Sequence, residues 1–139
     1  MQKKSFIILI TLLFTLVGCS SESVESHSPD YIKESFGYFK SIKSLVKSIK
    51  DGEEVDKAIK SNFEKQSEFN DWVDANYDPN DGSNEKGLLI TYYQLIKISL
   101  DNLETGIEGV TTSSIISSIE NSLSRLEKIY KNYGYKPKD

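Results

Sequence analysis

Apolar side chains return every three or four residues along four separate stretches of this chain, and that spacing commits its body to packed helices. In the first stretch Ile32, Phe36, Phe39, Ile42, Val46 and Ile49 share one face. Ser28-Pro29-Asp30 just ahead supplies a capping hydroxyl, a proline suited to a first helical turn and a carboxylate at the positive end of the helix dipole. A helix is predicted over residues 29–50. Asp51 followed by Glu54 reads as a second start, and Val55, Ile59, Phe63, Phe69, Trp72 and Val73 carry the spacing on, so a second helix is predicted over residues 52–76. Residues 78–84 (DPNDGSN) are dense in turn formers and mark a loop. Beyond them Leu88, Leu89, Tyr92, Leu95, Ile96, Leu100, Leu103 and Ile107 form a broad apolar face. Residues 95–100 (LIKISL) alternate as a strand would, but the length of the stretch favours a third helix, the most buried of the set. Gly106 and Gly109 end it. Hydroxyls at residues 111–114 cap a fourth helix, whose seam runs through Ile115, Ile116, Ile119, Leu123, Leu126, Ile129, Tyr130 and Tyr133 to Gly134. Helices of about 20 residues, each ~30 Å long and closely connected, are most simply an all-α, antiparallel up-down four-helix bundle. It would occupy residues 29–134, with 135–139 as a C-terminal tail.

The amino end has a different character. Lys3 and Lys4 precede an apolar run at residues 6–17 (FIILITLLFTLV). That run is shorter than the ~20 residues needed to span a bilayer as a helix and suits the core of a secretory signal, so residues 1–18 are expected to be a cleaved signal peptide. Leu16-Val17-Gly18-Cys19 resembles the lipobox of bacterial lipoproteins. The resemblance is confined to this end, and the body of the chain is assigned to no family. It implies that the Cys19 sulfur takes a diacylglyceryl group by thioether, that cleavage follows at the amino side of Cys19, and that two acyl chains hold the mature protein at the extracytoplasmic face of the plasma membrane. The abundance of Lys, Ile, Asn and Ser is of the kind associated with AT-rich Gram-positive genomes. Residues 19–28 would form the lipidated Cys and a polar, Ser-rich tether.

Counting excludes several function classes. Lys+Arg number 17 against 21 Asp+Glu, a net charge of −4, and removal of Lys3 and Lys4 leaves 15 − 21 = −6. No nucleic-acid partner is expected from such an acidic body. One Cys and one His allow neither an intramolecular disulfide nor a zinc cage, and no cofactor is implied. His27 falls in the tether. The carboxylate pairs Glu64/Glu68 and Asp71/Asp74 read as a solvated acidic face rather than an acid–base pair. Asp74, Asn76, Asp78 and Glu85 match four positions of an EF-hand loop, but Pro79 stands where that loop needs glycine, so no calcium site is expected. No catalytic or metal-binding residue is named.

Two surfaces remain. Lys33, Lys40, Lys43, Lys47 and Lys50 lie on one stripe of the first helix, whereas residues 51–78 hold nine acids and three Lys. The plain reading is complementary packing of neighbouring helices, and the sharper one is that the lysine stripe faces anionic headgroups. Of the eight Tyr, Tyr92, Tyr130 and Tyr133 fall on core seams, while Tyr77, Tyr93 and Tyr135 are candidate anchors for a protein partner. The expected function is that of a non-enzymatic protein-interaction module of the immunity, exclusion or accessory-subunit type. A bundle that captures a small ligand or peptide is the first alternative, and a cell-wall enzyme the second.

Overall fold

The computed structural model describes residues 28–136, and within them the chain is all α-helical. The expected signal peptide, Cys19, His27 and the last three residues of the tail lie outside the described residues. The elements are α1 (Asp30–Lys50), α2 (Val55–Asn62), α3 (Gln66–Asn76), α4 (Glu85–Thr105) and α5 (Thr112–Asn132). None of these helices is long and apolar enough to cross a membrane.

Local chemistry accounts for most of the boundaries. The Thr111 hydroxyl accepts from the Ser114 amide at 3.2 Å at the start of α5, as the run of hydroxyls led us to expect. Asn84 does the same for α4, its Oδ1 accepting from Gly87 N at 2.8 Å, so α4 begins three residues before the first apolar position. Pro29 sits at the N-cap of α1 rather than inside its first turn, and its carbonyl accepts from Ile32 and Lys33. Residues 95–100 are helical throughout. Fixed in place by neighbours on both flanks, α4 overrides the strand preference of its Ile residues.

The single helix expected over residues 52–76 is two. α2 ends at Phe63, whose φ of −137° and ψ of 50° leave the helical region, and α3 restarts at Gln66. The break corrects a phase error. Val55, Ile59 and Phe63 are four apart, but Phe69 comes six residues later, and at 100° per residue it would point well away from Phe63 in an unbroken helix. Interrupting the helix turns both rings inward, with centroids 5.3 Å apart.

Helix directions follow from cross-links at known heights. Gln66 Nε2 bonds Glu104 at 3.1 Å and Asp74 pairs with Lys97, so α3 and α4 run in opposite senses. Ser35, near the start of α1, meets Tyr130, near the end of α5, while Lys50 at the other end of α1 meets Glu120. The core between the helices is continuous, from Ile32, Phe39, Ile42 and Leu45 on α1 through Phe69, Leu89, Ile96 and Leu100 to Ile119, Leu126 and Tyr130.

Candidate functional site

A chain of buried hydroxyl groups links α1, α4 and α5. Ser35 Oγ donates to the Tyr31 carbonyl at 2.6 Å and lies 2.6 Å from Tyr130 OH; Tyr130 OH lies 2.5 Å from Tyr93 OH; Tyr93 OH reaches the Ser35 carbonyl at 2.9 Å. Three hydroxyl protons thus serve these four contacts of 2.9 Å or less, so one of the four at any instant holds no proton of its own. Burial pushes the Tyr93 phenol well above its ordinary range and Tyr130 upward likewise. Aromatic rings extend the cluster on both sides. Phe36 meets Tyr130 and Tyr135 at 5.0 and 4.5 Å, and Tyr93 meets Phe69 and Trp72 at 5.7 and 5.6 Å. Trp72 Nε1 donates to Glu34 at 3.2 Å. This interior is packed and its polar tips are used, so the rings hold the fold rather than line a ligand pocket.

That packing corrects two of the three tyrosines read as partner anchors. Tyr93 is fully buried and Tyr135 is 7% exposed; only Tyr77, at 39%, presents surface. The reason for Tyr93 is the rotation of α4. The helix is apolar around more than half of its circumference, and the covered side is the row Leu89, Tyr93, Ile96 and Leu100, where the phenol finds Ser35 and Tyr130. Tyr135 follows Gly134 back onto Phe36. Tyr130 is core as expected, and Tyr92 and Tyr133 pack against the core partly buried.

The same rotation leaves Leu88, Leu95 and Ile98 facing outward at 42, 49 and 47% exposure, two of them expected inside. Among the described residues they form the longest exposed aliphatic row on one helix. Two of the charges of α4 beyond its first turn lie elsewhere, Lys97 paired with Asp74 and Glu104 accepting from Gln66, both toward α3, while Asp101 is exposed at the edge of the row. Sequence reasoning missed this face because its residues were assigned to the core seam. The signal was the simultaneous presence of two apolar rows, 88/95 and 89/96, one of which had to be left uncovered.

At the end of the molecule where α1 begins, Glu85 Oε1 accepts from Tyr133 OH at 2.5 Å and Tyr31 OH at 3.4 Å. The carboxylate holds the Tyr133 phenol far above its usual range, with Tyr31 adding to the effect. The four EF-hand look-alike residues do not converge. Asp74 pairs with Lys97, Asn76 bonds the Trp72 carbonyl, Asp78 accepts from Asn80 in its own turn, and Glu85 is taken by the two tyrosines.

The lysine stripe divides. Lys33, Lys40 and Lys47 are exposed, with Lys40 Nζ 5.3 Å from the Phe36 ring centre. Lys43, Lys47 and Lys50 rim a shallow groove of about 350 Å³ between α1 and α5, with Glu120 and Glu127 on the opposite rim. Lys50 bonds Glu120 at 2.6 Å, while Glu127 is held below the usual carboxylate range first by its hydrogen bond from Lys131 and further by Lys43. Part of the stripe is therefore answered within the molecule. Compared with known proteins, the chain matches no family model, no curated protein and no solved structure.

Proposed function

We propose that this chain is a small bacterial lipoprotein, held through a diacylglyceryl group on Cys19 at the extracytoplasmic face of the plasma membrane, where its body works as a non-enzymatic protein-interaction module. The order of Lys3 and Lys4, the apolar run and Leu16-Val17-Gly18-Cys19 supports the anchor. The body is an up-down bundle of four staves, α1, α2 with α3, α4 and α5, and the opposed directions of α3 against α4 and of α1 against α5 support that arrangement. The observation that carries the interaction reading is the outward row Leu88, Leu95 and Ile98 over a filled core. Immunity, exclusion and accessory-subunit roles share this requirement for a docking face. Tyr77 is exposed at the end where α4 starts and adds an aromatic edge there.

The exposed lysines of α1 give the module an orientation, turning Lys33, Lys40 and Lys47 toward anionic headgroups. A second reading, capture of a short peptide, is favoured by the α1–α5 groove with its facing basic and acidic rims. Mass measurement of the native protein tests the anchor. A mature form beginning at a lipid-modified Cys19 is expected, and one beginning at Met1 or bearing a bare thiol refutes it. Crosslinking in intact membranes, with Cys19→Ala as the released control, tests the module: an adduct on the α4 face is expected, and adducts confined to the α1–α5 groove favour the peptide reading.

A further inference from the structure

The outer face of α4 follows a heptad. With Leu88 at position a, the seam positions are Leu88, Thr91, Leu95, Ile98 and Asn102, and Tyr93 and Leu100, at the position farthest from that seam, are the residues sunk in the core. One helix thus carries a core row on one side and a coiled-coil row on the other. Three hydroxyls along the outer row are already satisfied: Thr91 donates to the Gly87 carbonyl at 2.8 Å, Ser99 to Leu95 at 2.8 Å and Thr105 to Asp101 at 2.8 Å. Covering this face strands none of these hydroxyls.

We infer that the occupant of this face is α4 of a second copy, paired side by side and parallel. This rests on the interaction reading above and names its partner. The seam carries no ionised side chain, which matters because a two-fold contact sets each residue near its own image, and two copies of the acidic mature chain, each of net charge −6 (15 bases against 21 acids), avoid like-charge contacts along such an uncharged row. The flanking pairs of a parallel dimer, Gly87 with Tyr92, Gln94 with Ser99 and Asp101 with Gly106, also bring no like charges together. A partner of opposite charge would have to be recognised by a charged rim, and this rim has almost none. Asn102 selects the direction. In the parallel pair its amide meets its own image and both donates and accepts, whereas in the antiparallel pair, where a positions meet d positions, it faces Thr91, whose hydroxyl proton is already given to the Gly87 carbonyl, so the amide oxygen finds no donor there. The parallel pair also puts both copies of Ser28, the first described residue, at the same end, as the proposed attachment to one surface requires. A face of about three turns covers less than the ~800 Å² per partner typical of a stable complex, so pairing is expected to be weak in dilute solution and strong at membrane density.

The test uses the full chain expressed in bacterial cells, with Leu95→Cys or Asn102→Cys introduced and intact cells oxidised before electrophoresis without reductant. The unsubstituted chain, whose one cysteine is Cys19, gives the background. Each variant is expected to yield a disulfide species of twice the chain mass, at least about tenfold above that background and above Lys60→Cys on the exposed side of α2. Adding Ile98→Glu, or separately Leu95→Ser alongside Asn102→Cys, should abolish it while helicity is unchanged, because both sites are half exposed. Co-expressed Thr91→Cys and Asn102→Cys chains that join to each other rather than to themselves would overturn the parallel pairing. Adducts of Leu95→Cys to a different protein would overturn the second copy as occupant and leave the interaction reading standing. No adduct from Thr91→Cys, Leu95→Cys or Asn102→Cys would overturn both.

Discussion

A methyl group added at Gly87 would stand 1.5 Å from the Asp81 carbonyl oxygen, because the loop leading into α4 folds back over the first turn of the helix. The contact is to backbone, so relief requires the loop to move. Gly87→Ala should therefore destabilise the protein by about 1 to 3 kcal/mol in denaturant unfolding, although alanine is ordinarily the better helix former. Tyr130→Phe tests the hydroxyl chain. It removes two short contacts yet leaves Ser35 bonded to Tyr31 and Tyr93 bonded to the Ser35 carbonyl, so a loss of about 1 to 2 kcal/mol is expected. At this scale the sequence was only partly legible. Ser35 lies on the face of Ile32 and Phe39, which marks it as interior, but nothing local names Tyr93 and Tyr130 as its partners 58 and 95 residues away. Gly87 gave no sign of its role because the loop that crosses it is placed by tertiary packing.

Among elements, the break between α2 and α3 shows what periodicity reveals and what it hides. The five residues between Phe63 and Phe69 are all polar, and that gap is the trace of the phase shift; the absence of Gly and Pro there concealed it. Since the break exists to bring both rings inward, Phe63→Ala should cost about 3 to 5 kcal/mol in denaturant unfolding and loosen α3 from α1 and α4. A value near zero would mean that the two short helices are held from elsewhere. The helical faces of α1 and α5 were legible almost residue by residue, since each has a single apolar row. α4 was not. With two rows available, its rotation depends on which one meets a partner, and the partner hydroxyls on α1 and α5 are a tertiary fact.

Taken as a whole, the molecule is locked by phenols that must stay protonated. Tyr93 and Tyr130 have folded-state values raised above the ordinary Tyr value of about 10 by burial, so above about pH 10 the unfolded chain releases protons that the folded chain keeps. Stability is thus fully present below about pH 10 and falls as pH rises, by about 1.4 kcal/mol per pH unit for each such phenol. Urea midpoints measured across this range should fall steeply, and Tyr93→Phe should flatten the slope; an unchanged slope would show that these hydroxyls do not set it. The architecture has one more consequence. Tyr31 and Tyr133 share Glu85, and Tyr135 packs on Phe36, so α1 begins and α5 ends at the same pole. Under the proposed anchor at Cys19, an affinity handle fused at the C-terminus would leave from the same pole as the tether, whereas an epitope grafted beside Ile107 and Gly109, in the far connection, would leave from the opposite pole.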